Sequence, residues 1–278
     1  MKPEHQPRSA VMLTSGGVDS VTTAYYVKRK LKAPRMILVF ANYGQRTYDY
    51  EGFCIKAIGK ALESPVKLVD LRWLGKLSTS VLTKPKTPIT ETKEADLWDP
   101  EKAKQRILKW WDVVRNLQLI TVGLAHAESI DLNEYLSTGE RDIWDVHIGI
   151  RRETPVAMKD NTPEFLKLMD EVAQQSTHFG DYHVKAPLIT YDKDMVVKLG
   201  EKLGVPWEYT YSCYAGYGFR KVGGRTLPVH CGVCSNDKRR ALAFKLADIY
   251  DPSLYARSPI EDVQYEKRDS VFVQKRKN

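Results

Sequence analysis

The apolar run Ala10-Val11-Met12-Leu13 passes directly into Thr14-Ser15-Gly16-Gly17-Val18-Asp19-Ser20, and a helical pattern begins at Val21. Strand, glycine turn and helix in immediate succession point to an α/β layered fold, because a buried strand that feeds a helix packs that helix back onto its own sheet. The turn is also an anion-binding arrangement. Two adjacent glycines permit positive φ and close backbone approach, so successive N–H groups and the helix N-terminus can converge on one phosphate. Ser15 and Ser20 can add hydroxyl donors, and Asp19 can hold a magnesium ion. The stretch has neither the Gly-x4-Gly-Lys-Ser/Thr of a Walker loop nor the Gly-x-Gly-x-x-Gly of a dinucleotide fold.

Downstream, Met36-Ile37-Leu38-Val39-Phe40 and Val66-Lys67-Leu68-Val69-Asp70-Leu71 read as further strands, with helices over 21–31 and 49–62 between them. That order predicts right-handed parallel crossovers, hence a doubly wound parallel α/β sheet whose ligands collect beyond the carboxyl strand ends. Asn42-Tyr43-Gly44-Gln45-Arg46 stands at such an end, and Cys54 reads as a packed thiol inside its helix. Residues 83–99, rich in Pro, Thr and charge, read as a loop that serves as a lid or insertion. A helix is expected over 117–129 and a short strand at Tyr135-Leu136-Ser137-Thr138, closed by Gly139. Residues 140–159 mix Arg141, Asp142, Trp144, Asp145, His147, Arg151, Arg152 and Glu153, which suits a solvated loop or a pocket wall. Thr162 as N-cap and Pro163 at the first helical position start a helix through 175; another runs over 192–203, closed by Gly204.

Among 278 residues there is no apolar run of membrane-spanning length and the first nine are polar, so a cytoplasmic chain without membrane contact is expected. A single domain is expected over 9–250, with flexible termini at 1–8 and 262–278, the latter carrying Lys267-Arg268 and Lys275-Arg276-Lys277. The net charge of +8 favours an anionic partner: ATP, tRNA or an acidic protein surface. Four cysteines in so long a chain do not make a disulfide scaffold, yet Cys213, Cys231 and Cys234 fall together in a cysteine-rich segment over 210–245. The Cys-x2-Cys spacing with a third thiolate is that of a zinc knuckle, with a redox pair as its rival. A fourth ligand is offered by Asp237 or by His230.

Taken together these stretches resemble the QueC family, the 7-cyano-7-deazaguanine synthases, within the PP-loop ATP pyrophosphatases of adenine nucleotide alpha hydrolase-like fold. The resemblance runs from about Val11 to Pro252. It rests on Ser15-Gly16-Gly17-Val18-Asp19-Ser20, Asn42-Tyr43-Gly44-Gln45-Arg46, Asp112-Val113-Val114-Arg115-Asn116, Pro187-Leu188-Ile189 with the helix start at Lys193, Thr210-Tyr211-Ser212-Cys213-Tyr214, and Cys231 through Arg240 and Phe244. It implies ATP bound by Leu13, Thr14, Ser15, Gly16, Gly17, Val18, Asp19, Ser20 and Arg46, and magnesium near Asp19. It further implies Lys193 and Arg115 as cations for transition-state charge, a 7-deazaguanine carboxylate held by Tyr43, Gln45, Asn116 and Asp160, and a homodimer. Zinc is implied on Cys213, Cys231 and Cys234, with Asp237 where the family has its fourth cysteine.

Departures from the family pattern cluster on the acceptor side. Asn161 and Thr162 stand where the family has cysteine and arginine, Asp237 replaces a cysteine, and the segment between Cys213 and Cys231 is longer, glycine-rich and basic. Family members adenylate 7-carboxy-7-deazaguanine, form the amide with ammonia and then the nitrile. Divergent relatives also occur in antiphage systems of the type IV CBASS and Qat groups, so a protein amine on a partner is an alternative acceptor. A PP-loop tRNA-modifying enzyme, which would show steeply salt-dependent tRNA binding, is a further alternative. A non-catalytic nucleotide or nucleic-acid binding protein is the last, disfavoured by the joint presence of Ser15, Gly16, Gly17, Asp19 and Ser20.

Overall fold

A computed structural model describes residues 8–151, 156 and 158–276. Arg152, Glu153, Lys277 and residues 1–7 of the expected flexible N-terminus lie outside the described residues.

In chain order the elements are β1 (Ser9–Leu13), α1 (Val18–Arg29), β2 (Met36–Asn42), α2 (Tyr48–Ala61), β3 (Val66–Asp70), α3 (Arg72–Leu77), α4 (Pro100–Trp110) and α5 (Arg115–Thr138). They continue with β4 (Trp144–Ile148), α6 (Pro163–Ser176), β5 (Val184–Lys185), α7 (Lys193–Lys202), β6 (Phe219–Val222), β7 (Arg225–His230), α8 (Ser235–Ala247), β8 (Leu254–Tyr255), β9 (Tyr265–Arg268) and β10 (Val271–Gln274). The first five strands form a parallel sheet in the order β3-β2-β1-β4-β5. The pleat sorts the core: Ala10 and Met12 of β1 pack with Val21 and Ala24 of α1 and Val196 and Val197 of α7, while Val11 and Leu13 pack with Ile120, Leu124 and Ala127 of α5. Helices therefore cover both faces, and the winding reverses between β1 and β4. That reversal opens a crevice at the carboxyl ends of these two strands. Each fully buried aliphatic side chain contributes about 1.5–3 kcal/mol to this core.

Three expectations are corrected. Tyr135-Leu136-Ser137-Thr138 is the last turn of α5, which ends on Gly139 at φ 77°; Leu136 is exposed, so that apolar pair never belonged to a buried strand. The stretch expected to be a loop or pocket wall does supply cleft wall at Ile148 and Arg151, but it is not a loop: it contains β4, every residue of which is buried. Its charged residues disguised it: Asp145 is neutralised by Arg8 at 2.6 Å and Lys185 at 2.5 Å, and His147 lies buried, its basicity pushed down to about 4 by burial. The terminus expected to be flexible from 262 carries β9 and β10, which pair antiparallel within a second sheet of order β6-β7-β8-β10-β9. Residues 83–99 hold no helix or strand beyond one short 3-10 turn at Glu94–Leu97, as a loop should. Thr162 caps α6 by accepting from Phe165 N at 3.2 Å, with Pro163 next, as the cap signal predicts.

Candidate active site

The crevice between β1 and β4 holds a cleft of about 240 Å³. Its floor is the turn between β1 and α1. Only Gly16 adopts positive φ, at 75°, whereas Gly17 is extended at −76° and serves as N-cap of α1 without any side chain capping the first turn. Ser20 closes the turn: its hydroxyl accepts from Ser15 N at 3.2 Å and donates to Gly17 O at 3.2 Å. Gly149, just beyond β4, lies so close that an added Cβ would stand 2.3 Å from Ser20 Cα. On the other side Tyr211 N donates to Gly16 O at 2.8 Å.

Asp19, one residue into α1, meets Lys193 Nζ from the start of α7 at 3.1 Å and Arg151 Nε from beyond β4 at 3.4 Å, all through Oδ2. Burial alone would push the Asp19 carboxyl up; the Lys193 ammonium and Arg151 guanidinium outweigh it and hold it below the usual carboxylate value. Asp19 Oδ1 and Thr14 Oγ1 are buried without a protein partner, and both residues line the cleft. A carboxylate oxygen held ionised and left without a partner fits a hard cation, so Asp19 is the residue that would hold magnesium here.

Of the residues expected from sequence, Leu13, Thr14, Ser15, Gly17, Val18, Asp19, Ser20, Tyr43, Gln45, Arg115, Asn116 and Lys193 line the cleft, with Gly16 in its floor. Arg46 stands apart, its guanidinium donating to Thr87 O at 2.7 Å and Pro85 O at 3.2 Å, where it pins the 83–99 loop. Gln45 is a wall brace: its amide donates to Ala41 O and Glu51 and accepts from Tyr43 N at 2.9 Å. Arg115 stacks on Tyr43 at 5.6 Å and pairs with Asp112 at 3.3 Å. Asp160 lies behind the wall, in a smaller adjoining cavity of about 80 Å³. Its backbone oxygen accepts from Asn116 Nδ2 at 3.3 Å, and the same amide donates to Asn161 Oδ1 at 2.9 Å.

Sequence reasoning missed Glu51 and Asn236 as cleft residues, and Arg151, named only within a stretch read as loop or pocket wall, was not linked to Asp19. Glu51 sits four residues after Thr47, which donates to it at 2.6 Å, a spacing that reads equally well as an exposed helix start. Burial pushes its carboxyl up.

Beside the cleft, Cys213, Cys231, Cys234 and Asp237 are all buried and place their ligand atoms within 4.8 Å of one another. His230 is not among them: its Nε2 accepts from Ser212 N at 3.1 Å, and burial lowers its basicity to about 3. Backbone N–H groups converge on the sulfurs, Ala215 and Cys231 on Cys213, Val233 and Cys234 on Cys231, and Asp237 on Cys234, at 3.2–3.4 Å. Hydrogen bonds from its two cysteine neighbours bring the Cys231 thiol down to about 5, whereas burial raises Cys213, Cys234 and Asp237. Asp237 Oδ1 has no protein partner. Buried sulfurs supplied with N–H donors beside an orphaned carboxylate oxygen are a donor set that fits a tetrahedral metal ion. Arg240, fully buried on α8, pairs with Asp251 at 3.0 Å and reaches Thr210 Oγ1 at 2.8 Å, tying the knuckle to the segment that lines the cleft.

The family profile described as "Queuosine biosynthesis protein QueC" matches residues 9–248. The chain is 32% identical over 249 residues to the 7-cyano-7-deazaguanine synthase of Methanobrevibacter smithii, covering 89% of this chain and 98% of that one. It is 31% identical over 236 residues to the synthase of the same name from Pyrococcus horikoshii, covering 84% and 91%. Among solved structures, the U34-tRNA thiolase NcsA from Methanococcus maripaludis aligns at 14% identity with a TM-score of 0.39, covering 89% of this chain and 68% of that chain.

Proposed function

The chain belongs to the QueC family, and from that premise we propose that it is an ATP-dependent ligase that adenylates the carboxylate of a 7-carboxy-7-deazaguanine. A C–N bond then forms at the activated carbon, with release of AMP and pyrophosphate. The observation that carries this reading is the Asp19, Lys193 and Arg151 cluster beside the uncapped N-terminus of α1. Backbone N–H groups of the 15–20 turn hold phosphate oxygens, and the substrate carboxylate attacks the α-phosphorus as pyrophosphate departs. Lys193 and Arg151 meet the charge that accumulates on the transferring and leaving oxygens, with Arg115 on the opposite wall. Asp19 would hold magnesium, which would supply positive charge against the phosphates. Tyr43 and Asn116 provide the wall for the base.

The cysteine and aspartate knuckle takes zinc and is structural in this reading: it fixes Tyr211 and Ser212 against the phosphate turn. No helix among the described residues is long and apolar enough to cross a membrane, in keeping with ATP and a small base as substrates.

A second reading concerns the acceptor. Asn161 lines the cleft and is bonded to Asn116, where the family carries a cysteine. An altered acceptor wall supports transfer of the deazaguanine acyl group to a protein amine, the chemistry of a defence-associated member. Purified protein with ATP, magnesium and 7-carboxy-7-deazaguanine is expected to release AMP and pyrophosphate, and Asp19→Ala to lose that release by about 100-fold or more. Product masses with and without ammonia separate the two readings: amide or nitrile of the free base for the first, a mass addition on a protein for the second. Absence of carboxylate-dependent AMP formation would refute both.

A further inference from the structure

We propose that the smaller cavity behind the cleft is the chamber through which the nitrogen nucleophile, ammonia or an unbranched primary amine, reaches the activated carbon, and that Asp160 takes the proton this nitrogen sheds. The inference rests on the adenylation reading above.

The two cavities share Leu82, Arg115, Met158, Tyr214 and Asn236, so they adjoin along the Arg115 side of the cleft. The smaller one, at about 80 Å³, has room for ammonia or a narrow alkyl amine, whose small members occupy little more than the ~30 Å³ of a water, but not for a second nucleobase. Arg106, Ile107 and Trp110 of α4 and Arg239 of α8, all half-buried, line its partly exposed rim, and none of them lines the larger cleft.

Two carboxylates line the chamber. Asp112 is engaged, accepting from Ser78 Oγ at 2.8 Å and paired with Arg115 at 3.3 Å. Asp160 is held through its backbone by Asn116, while its Oδ1 is buried without a protein partner. Burial raises its carboxyl, against the opposing pull of Arg115, which makes it a better proton acceptor than an exposed aspartate. The step balances as follows. The neutral nitrogen's lone pair forms the C–N bond, the carbon–oxygen bond to AMP breaks with its electron pair leaving on AMP, and one N–H proton passes to Asp160.

The test uses the whole protein and reads two half-reactions. Carboxylate-dependent ATP–pyrophosphate exchange reports adenylation, and amide formation with ammonium chloride, methylamine or hydroxylamine reports transfer. Asp160→Asn is expected to keep exchange within about threefold of wild type and to slow transfer to ammonia by about 100-fold or more, with a smaller loss for the weakly basic hydroxylamine. Ile107→Trp, which narrows the rim, is expected to raise the KM for methylamine more than that for ammonia. Equal losses of exchange and transfer in Asp160→Asn would make Asp160 a substrate-holding residue and overturn the proposal. So would unchanged amine KM values in Ile107→Trp. Wild-type protein without exchange would instead remove the adenylation reading and this inference with it.

Discussion

Gly149→Ala tests the geometry on which the phosphate turn depends. The residue adjoins β4 at the point where the sheet reverses its winding, and its backbone lies outside the positive-φ set, so alanine brings no conformational penalty of its own. The effect is steric alone. An added Cβ would stand 2.3 Å from Ser20 Cα, 2.8 Å from Ser20 N and 2.9 Å from Ser20 Cβ. Carbon atoms settle at about 3.5–4.0 Å, so α1 must withdraw from β4 by more than about 1 Å. Overpacking of this kind costs about 1–3 kcal/mol, which in a chain of this size lowers Tm by roughly 2–10 °C. The larger consequence is functional. Ser20 closes the turn and Asp19 precedes it, so the shift moves both from Gly17, Lys193 and Arg151. A displacement of about 1 Å at a positioning group costs on the order of 100-fold in rate. Thermal unfolding and ATP–pyrophosphate exchange, measured on the same preparation, read the two effects. A Gly149→Ala protein with wild-type Tm and exchange would refute the close approach of β4 to α1.

His147 gives a pH dependence. It titrates near 6.5 in the unfolded chain and near 4 in the fold, where burial outweighs Asp145. Because the unfolded state binds the extra proton, stability is complete above about pH 7 and declines as pH falls from 6.5 towards 4; urea unfolding at pH 5 should show a loss of about 2 kcal/mol that is absent in His147→Gln. At the knuckle, Asp237→Ala should lower the bound metal by about tenfold or more and Asp237→Cys should restore it, as read by metal analysis. His230→Ala should leave metal content unchanged, since its ring serves Ser212 N and not the sulfurs.

Much of the site was legible in the sequence because it is local. The 13–20 turn, Tyr43 at the end of β2 and Arg115-Asn116 at the start of α5 are short stretches whose residue types carry their own chemistry. The elements misread are those whose environment lies far away in sequence. Trp144-Asp145-Val146-His147-Ile148 alternates polar with apolar residues like a surface segment, and only Arg8 and Lys185 make Asp145 tolerable in a central strand. The pairing of Arg151 with Asp19 was hidden by the same distance, since the two lie on opposite sides of the winding reversal. Tyr135-Leu136 shows the opposite error, an exposed apolar pair at a helix end that imitates a strand. Arg46 has the residue type that would meet a phosphate, but the carbonyls of Pro85 and Thr87 claim it, and those belong to a loop without periodicity.

The 15–20 turn and the cysteine knuckle form one mechanical unit. Tyr211 N holds Gly16 O, and Ser212 and Cys213 line the cleft, so the turn's positive-φ glycine is braced by a segment with no strand or helix of its own. Such a segment acquires rigidity only from what surrounds it. Cys213 at its end belongs to the buried cluster with Cys231, Cys234 and Asp237 that could hold a metal ion, and Arg240 grips Thr210 and Ser212 from a buried pair with Asp251, which Tyr255 also bonds at 2.6 Å. Removing one partner of a buried charge pair costs about 3–5 kcal/mol, and loss of the metal would free the other end of the same three residues. Both perturbations act on the cleft through Gly16 O, without touching any group that meets phosphate. Asp237 accepts from Gly232 N at 2.9 Å, so its carboxylate also ties the start of α8 to the turn between Cys231 and Cys234, and a disturbance there reaches the wall of the cleft through Cys213.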